Sequence, residues 1–162
     1  AAFGTGTHDT TRLCLQVLDE IVTNEDTVLD IGCGSGILAI AAMLLGAEKG
    51  FGVDIAPVAV KTATENGKMN GIDECDLQFV CGDLADKVTE KYSIVVANIV
   101  ADIIKLFSTR VDKYMLPDAK FIASGIIDTR ADEVCESLEN AGLKILRRIE
   151  KNGWVCLVCE QA

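Results

Sequence analysis

The chain has few aromatic residues, a single histidine and no hydrophobic run long enough to cross a bilayer. Aromatic residues make up 5% of its 162 positions, so the core is expected to be mainly aliphatic. The longest apolar run, residues 37–45, is shorter than a membrane span, and we expect neither a signal peptide nor a membrane partner. The formal net charge of −10 repels phosphate backbones, which argues against direct nucleic-acid binding and favours a basic protein partner.

The cysteines do not form a pattern that predicts a metal site. Seven are present, an odd number, and they contain one C-x-x-C pair, Cys156 and Cys159, whereas a structural zinc site needs four ligands. Residues three apart on a strand face opposite sides of the sheet, so this pair is expected to pack in the core. We expect no metal and a reducing, cytoplasmic location.

Strand and helix patterns alternate along the chain without a repeat, a low-complexity tract or a linker, which indicates one domain over residues 1–162. The expected strands are 27–31, 50–55, 77–81, 93–97, 121–124, 143–149 and 154–160. The expected helices are 10–22 capped by Asp9, one that Ser35 caps and Gly46 ends, 57–69, 99–114, and one that Asp128 caps and Gly142 ends. Asn152–Gly153 predicts a tight turn between the last two strands. The pattern predicts an α/β fold, doubly wound, with a mostly parallel seven-stranded sheet and a C-terminal antiparallel hairpin.

The stretch VLDIGCGSGILAIAA, residues 28–42, runs from an apolar strand through three glycines into an apolar helix. This is the layout of a nucleotide-binding loop, although a tight turn that binds nothing is the alternative. Ile37 stands where a dinucleotide fingerprint requires glycine. The spacing of Gly32, Gly34 and Gly36 after Asp30 is instead typical of S-adenosylmethionine-dependent methyltransferases. Their ligand has no phosphate, needs close backbone and tolerates a carboxylate near its cationic sulfonium.

Two further acidic residues follow strands and are candidates for the same ligand. Asp54, with Ile55 beside it, ends the second strand, where a carboxylate can accept both ribose hydroxyls; capping the next helix is the alternative. Asp83 and the amide of Leu84 follow the third strand and are placed to meet the adenine edge. For Asp83 a simple turn role is nearly as well supported.

Asn98 follows the fourth strand and offers an amide oxygen next to the carbonyl of Ile99. Two acceptors there can hold the hydrogens of an amine so that its lone pair points at a methyl carbon. Capping of the following helix explains Asn98 equally well from spacing alone.

With these residues in place, the segment AFGTGTHDTT, residues 2–11, completes a series of motifs. The chain resembles the PrmA family of methyltransferases, which modify ribosomal protein L11, over essentially its whole length. The motifs that carry the resemblance occur in the family's order at Phe3–Thr11, Asp30–Ala42, Asp54–Val58, Asn98–Ala101, Ser124–Ile126 and Trp154. Departures from the family pattern are Asp9 for proline, Ala56 for aspartate and Val100 for leucine.

The resemblance implies a Rossmann-like class I methyltransferase with S-adenosyl-L-methionine as cofactor. It implies cofactor contacts from Thr11, Gly32, Asp54 and Asn98. It also implies a catalytic role for Asn98 with Ile99. The site would in addition be lined by Phe3, Gly4, Thr5, Gly6 and Thr7. The single histidine, His8, is expected to hold the adjoining turn by hydrogen bonding rather than to act as a base.

The same resemblance implies the substrate, which is the lysine and α-amino nitrogens of a large-subunit ribosomal protein. The chain starts without methionine, so we expect a fragment that lacks the family's N-terminal substrate-binding domain. The alternatives are a methyltransferase acting on RNA or a small molecule, and a fragment that binds the cofactor without turnover.

Overall fold

The computed structural model describes residues 7–162, with side chains from residue 9 onward, and in this part of the chain seven strands form one sheet. The strands are β1 Thr27–Ile31, β2 Lys49–Asp54, β3 Leu77–Cys81, β4 Tyr92–Asn98, β5 Met115–Ile127, β6 Leu143–Lys151 and β7 Trp154–Gln161. The helices are α1 Thr7–Ile21, α2 Ile37–Leu44, α3 Pro57–Met69, α4 Ala101–Ser108 and α5 Ala131–Asn140, with 3₁₀ turns at Val111–Tyr114 and Asp128–Arg130.

The sheet order is β3-β2-β1-β4-β5-β7-β6, and among these seven strands β7 alone runs opposite in direction to the other six. The predicted α/β fold, with a mostly parallel sheet and a terminal hairpin, is confirmed. From β1 the chain proceeds outward to β2 and β3, then returns to place β4 on the other side of β1. Ligands in such sheets bind where the winding reverses, beyond the carboxyl ends of the strands. The ends of β1, β2 and β4 are therefore the place to look for a site.

Apolar side chains from alternate strand positions form a core on each face of the sheet. Leu29 of β1 packs with Phe107 of α4 and Phe121 of β5 on one face, where the two phenylalanine rings meet edge to face at 6.0 Å. Val28 packs with Leu18 of α1 on the other face. Most of the remaining buried side chains are aliphatic, as expected from the low aromatic content.

The two cysteines of the C-x-x-C pair lie on opposite faces of β7, as their spacing predicts. Cys156 packs in the core beside α1, and Cys159 packs in the core beside α4 and α5. The side chains of both are fully buried. They therefore act as hydrophobic core residues and do not share a ligand.

Three predicted helix caps are wrong. Asp9 lies inside α1, because that helix begins at Thr7. Gly36 occupies the cap position of α2 in a left-handed conformation, which displaces Ser35 from it. Asp128 opens a 3₁₀ turn and donates its amide to Gly153 O at 2.9 Å, so α5 begins only at Ala131. For Ser35 and Asp128, glycine geometry or a tertiary contact overrides the local preference for a polar cap.

The helix predicted over residues 99–114 is two elements. After α4, the amide of Arg110 bonds to Phe107 O at 2.9 Å, which tightens the chain and ends the α-helix. Val111 is nevertheless fully buried, because the following 3₁₀ turn returns it to the core. The strand predicted over residues 121–124 extends in both directions to give β5, which pairs with β4. Polar residues within 117–120 break the apolar pattern there, so the sequence does not predict the N-terminal part of β5.

Candidate functional site

The turn after β1 is held against β2 by its own backbone. The amides of Gly32 and Cys33 both donate to Val53 O, at 2.8 and 2.9 Å, so the chain doubles back at the end of the sheet. Gly32, Gly34 and Gly36 all have positive φ angles, +69°, +55° and +83°, which L side chains rarely adopt. A Cβ on Gly32 would lie 2.6 Å from Ile99 Cγ2, whereas one on Gly34 would meet nothing within 4 Å. Gly32 therefore allows close packing, and Gly34 borders open space.

Asp54 ends β2 and its carboxylate is fixed beside this turn. Oδ2 accepts the amide of Gly34 at 2.9 Å, and Oδ1 accepts the amide of Ala56 at 2.9 Å. The second bond fixes the turn that precedes α3, but the cap position of that helix is Ala56 without a side-chain cap bond, so the helix-capping alternative for Asp54 is wrong. Each carboxylate oxygen retains a lone pair for a further donor. The structure thus places Asp54 next to the glycine turn, as the sequence predicts.

Asp30 lies behind the turn instead of facing open space. It is buried, 1% exposed, and its Oδ2 accepts the amide of Ala39 at 3.1 Å. Burial raises the pKa of this carboxyl to about 7, opposed by the Ala39 amide and reinforced by the charge of Asp54. Asp30 therefore joins β1 to α2, and its direct contact with a ligand stays a prediction.

Asn98 ends β4, and its side chain is set between α1 and β5. Its Nδ2 donates to Thr10 Oγ1 at 3.4 Å, while its Oδ1 is buried and accepts no hydrogen bond from the described residues. The cap position of α4 is Val100, without a side-chain cap bond. The helix-capping interpretation of Asn98 is therefore wrong, and an orphan acceptor remains at the end of the strand.

The carbonyl of Ile99 and Oδ1 of Asn98 both lie against Gly125 of β5. A Cβ built on Gly125 would lie 2.6 Å from Ile99 O and 3.1 Å from Asn98 Oδ1. The side chain of Ile99 also approaches the glycine turn, since a Cβ on Gly32 would lie 2.6 Å from its Cγ2. That the two oxygens bind an amine stays a prediction.

The segment after β3, residues 82–84, lies beside the end of β2. The amide of Gly82 donates to Asp54 O at 3.0 Å, which ties this segment to the end of β2. The amide of Asp83 donates to Asp86 Oδ1 at 2.9 Å, and Leu84 has a φ of +51°, so the turn interpretation of Asp83 is correct at the backbone level. The side chain of Asp83 is exposed, as is that of Ile55. Their contacts with a ligand stay predictions.

The N-terminal motif is only partly described. Phe3, Gly4, Thr5 and Gly6 lie outside the described residues, and for Thr7 and His8 the backbone of α1 alone is described. Thr11 is half-buried on α1. Thr10 and Gly125, which contact or closely approach Asn98, were not predicted as site residues, although both lie in motifs that the sequence displays.

Other reactive groups do not form a second site in the part of the chain that is described. Burial, with the charges of Asp30 and Asp54, raises the pKa of the Cys33 thiol far above its usual range, so it does not supply a thiolate nucleophile. Within residues 9–162, no group of three or more His, Cys, Asp or Glu residues is arranged to hold a metal ion. None of the described helices is long and apolar enough to span a bilayer.

Comparison with known proteins places these features in a wider group. The family profile described as Ribosomal protein L11 methyltransferase (PrmA) matches residues 1–162. A curated protein of that name from Clostridium botulinum strain Eklund 17B is 45% identical over 159 residues, which cover 98% of this chain and 50% of the relative. A protein of the same name from Clostridium perfringens matches with the same identity and coverage. The chain thus spans about half the length of these curated relatives.

A solved structure supports the same grouping. The ribosomal protein L11 methylase from Lactobacillus delbrueckii subsp. bulgaricus is 31% identical, with a TM-score of 0.92, over 96% of this chain and 80% of that chain. The M. jannaschii tRNA m1G37 methyltransferase has a TM-score of 0.80 over 93% of this chain and 48% of that chain. Its identity of 20% shows a shared fold alone.

Proposed function

Because the chain belongs to the ribosomal protein L11 methyltransferase family, we propose that it transfers methyl groups from S-adenosylmethionine to lysine and α-amino nitrogens of ribosomal protein L11. Residues 1–162 are proposed to form the donor-binding, catalytic domain. The observation that carries the proposal is the buried Oδ1 of Asn98, which accepts no hydrogen bond from the described residues and lies beside Ile99 at the end of β4.

The residues around the turn fit the proposed donor. Open space next to Gly34 admits a ligand against the backbone, and Asp54, held by two amides, can accept the ribose hydroxyls. Asp83 and the amide of Leu84 would meet the adenine edge, and Thr11 would lie on the α1 side. When bound, the donor supplies a methyl group already activated by a cationic sulfur.

The acceptors would orient the amine rather than deprotonate it. A free lysine has a pKa near 10.4, so the neutral amine costs about 4.6 kcal/mol at pH 7. Oxygen acceptors also stabilise the ammonium form, and therefore do not lower that cost. Asn98 Oδ1 and Ile99 O would instead bind two N–H groups and direct the lone pair of the nitrogen.

The charge of the chain supports an amine-bearing substrate. A net charge of −10 attracts cationic lysine side chains and repels phosphate. We therefore propose a protein substrate, no direct nucleic-acid binding, and a cytoplasmic location.

The proposal is tested with the full-length natural protein that contains this chain. That protein is incubated with methyl-labelled donor and purified L11 from the same organism. Label on lysine and N-terminal nitrogens, located by mass spectrometry, is the expected result. L11 with its amines blocked by acetylation serves as the control. Label appearing in ribosomal RNA or in a small molecule instead would overturn the substrate assignment. Binding of S-adenosylhomocysteine without transfer to any substrate would show a binding module.

A further inference from the structure

The side-chain amide of Asn98 is held from the α1 side by Thr10. Thr10 is 0% exposed, and its Oγ1 accepts the Nδ2 of Asn98 at 3.4 Å. A threonine hydroxyl inside a helix commonly donates to a carbonyl one turn earlier, which leaves its lone pairs for a second donor. An acceptor at this position keeps the nitrogen of the amide toward α1. The oxygen, Oδ1, is then directed away from the helix.

On the opposite side, Gly125 permits the end of β4 to approach β5. Gly125 has a φ of +84° and lies where the register of β5 against β7 shifts, between Ala123 and Ile126. A Cβ here would lie 2.6 Å from Ile99 O and 3.0 Å from Ile99 N. Both are backbone atoms of Ile99, so any side chain here would displace the backbone of Ile99.

The backbone of Ile99, which lies against Gly125, is held in place by Ser124. The amide of Ile99 donates to Ser124 O at 3.0 Å. Ser124, itself buried, donates its hydroxyl to Thr10 O at 3.4 Å. Polar contacts thus connect Thr10, Asn98, Ile99 and Ser124 in a closed ring that joins α1, β4 and β5.

We propose that Thr10 and Gly125 are positioning residues, which fix the Asn98 amide and the Ile99 carbonyl at the end of β4. The proposal rests on the function given above, because Asn98 Oδ1 and Ile99 O are the atoms that would hold the amine. Displacement of a reacting group by about 1 Å can lower a rate by about 100-fold. In the described bonds neither Thr10 nor Gly125 contacts Gly34 or Asp54, whose mutual bond fixes the turn proposed to bind the donor.

Substitution of Thr10 tests the hydroxyl. Thr10→Val keeps the shape and removes the acceptor, and Thr10→Ser restores it. We expect Thr10→Val to lower kcat about 10-fold or more with the Kd for S-adenosylhomocysteine changed by less than about 3-fold, and Thr10→Ser to recover most of the rate. Thr64→Val is the matched control, since Thr64 Oγ1 donates to Val60 O at 2.8 Å within α3.

Substitution of Gly125 tests the close approach. Gly125→Ala is expected to lower kcat about 100-fold while S-adenosylhomocysteine binding is retained. Gly142→Ala is the matched control, because Gly142 has a φ of +90° and a Cβ there would meet nothing within 4 Å. It introduces the same kind of backbone strain without displacing a neighbour.

A second measurement does not depend on activity. In the unliganded protein, the side-chain NH₂ signals of Asn98 in a ¹⁵N–¹H spectrum, assigned through Asn98→Asp, report the environment of the amide. We expect these signals to shift and to exchange faster with water in Thr10→Val and Gly125→Ala, but not in Thr10→Ser, Thr64→Val or Gly142→Ala.

The outcomes separate the positioning role from the proposed function. If the Asn98 signals change as expected but the parent protein methylates no amine, positioning stands and the proposed function fails. Unchanged Asn98 signals in Thr10→Val and Gly125→Ala would overturn the positioning role, whatever the activity. It would also be overturned if kcat and donor affinity fell by the same factor, or if Thr10→Ser behaved like Thr10→Val.

Discussion

The carboxylate of Asp54 accepts the backbone amide of Gly34 at 2.9 Å, although the two residues are 20 positions apart. The bond joins the acid at the end of β2 to the middle of the turn after β1. Each group orders the other, since the amide fixes the carboxylate and the carboxylate satisfies an amide that the turn leaves without a helical partner. Bonds between groups of the protein itself thus hold the carboxylate and the turn together at this site.

The role of the Asp54 carboxylate in donor binding can be tested by substitution. Asp54→Asn keeps one acceptor oxygen and loses the other, so either the Gly34 or the Ala56 amide loses its partner. We expect the Kd for S-adenosylhomocysteine, measured by calorimetry, to rise about 10-fold or more, because a hydrogen bond to a charged group contributes about 1.5–3 kcal/mol. Asp112→Asn removes one charge from an exposed position on a 3₁₀ turn and is the control. Equal affinity in the two variants would contradict a ribose-binding role.

Substitution of Gly34 distinguishes an effect on stability from an effect on donor binding. A Cβ there would meet nothing within 4 Å, so Gly34→Ala is expected to cost only the strain of its positive φ, about 1–2 kcal/mol of unfolding free energy. If the open space receives the donor, affinity for S-adenosylhomocysteine should nevertheless fall about 10-fold or more. Gly71→Ala, with a φ of +73° and equally open surroundings, controls for the strain. A similar affinity in both variants would place the ligand elsewhere.

Removal of the orphan acceptor is expected to impair transfer without harming the fold. An unsatisfied buried polar atom costs about 1–3 kcal/mol, and Asn98→Ala removes that cost along with the packing of the side chain. We therefore expect unfolding free energy to change by less than about 1 kcal/mol, donor affinity to change little, and kcat to fall about 100-fold. Chemical denaturation, calorimetry and single-turnover kinetics measure the three quantities. An equal loss of donor affinity and of kcat would show that Asn98 does not orient the amine.

Asp30 predicts a pH dependence of stability. Burial raises the pKa of its carboxyl from the usual 3.8 to about 7 in the folded protein, so between these values the folded state holds a proton that the unfolded state has released. Its contribution to stability therefore falls as the pH rises from about 4 to about 7. Asp30→Asn still offers an acceptor to the Ala39 amide but does not ionise. Denaturation at several pH values is expected to give a flatter profile for Asp30→Asn than for the parent, and parallel profiles would contradict a buried, titrating Asp30.

Local patterns predicted the limits of helices and strands correctly where residues such as proline or Asn-Gly mark the ends of an element. β1 has the predicted limits 27–31, and α3 begins at Pro57 and ends at Met69, because proline suits a first helical turn and Asn70–Gly71 cannot continue it. The turn at Asn152–Gly153 has the positive φ angles, 50° and 83°, that a tight hairpin requires. The positions of Gly32, Gly34 and Asp54 followed from the same kind of reasoning, since parallel strands end at one edge.

Contacts between distant segments were not predictable in this way. The sequence does not predict the role of Thr10, because a threonine in a helix carries no local sign of a partner 88 residues away, the amide of Asn98. Gly125 lies in the Ser124–Ile126 motif, but the sequence predicts no role for it, because its importance depends on the backbone of Ile99. The break after α4 is not predictable for a related reason, since apolar periodicity continues through Val111 while the backbone hydrogen bonding changes.

The hairpin of β6 and β7 has a consequence for how this scaffold can diversify. Asn152 at its tip donates to Asp9 Oδ2 at 3.3 Å, on the same first turns of α1 that reach Asn98. Exposed turns accept added residues readily, and the paired strands below them keep their register. Lengthening this one loop would add residues beside the first turns of α1 and leave the glycine turn untouched. The neighbourhood of Asn98 would thereby change from one surface insertion, without any change in the sheet that carries Asn98.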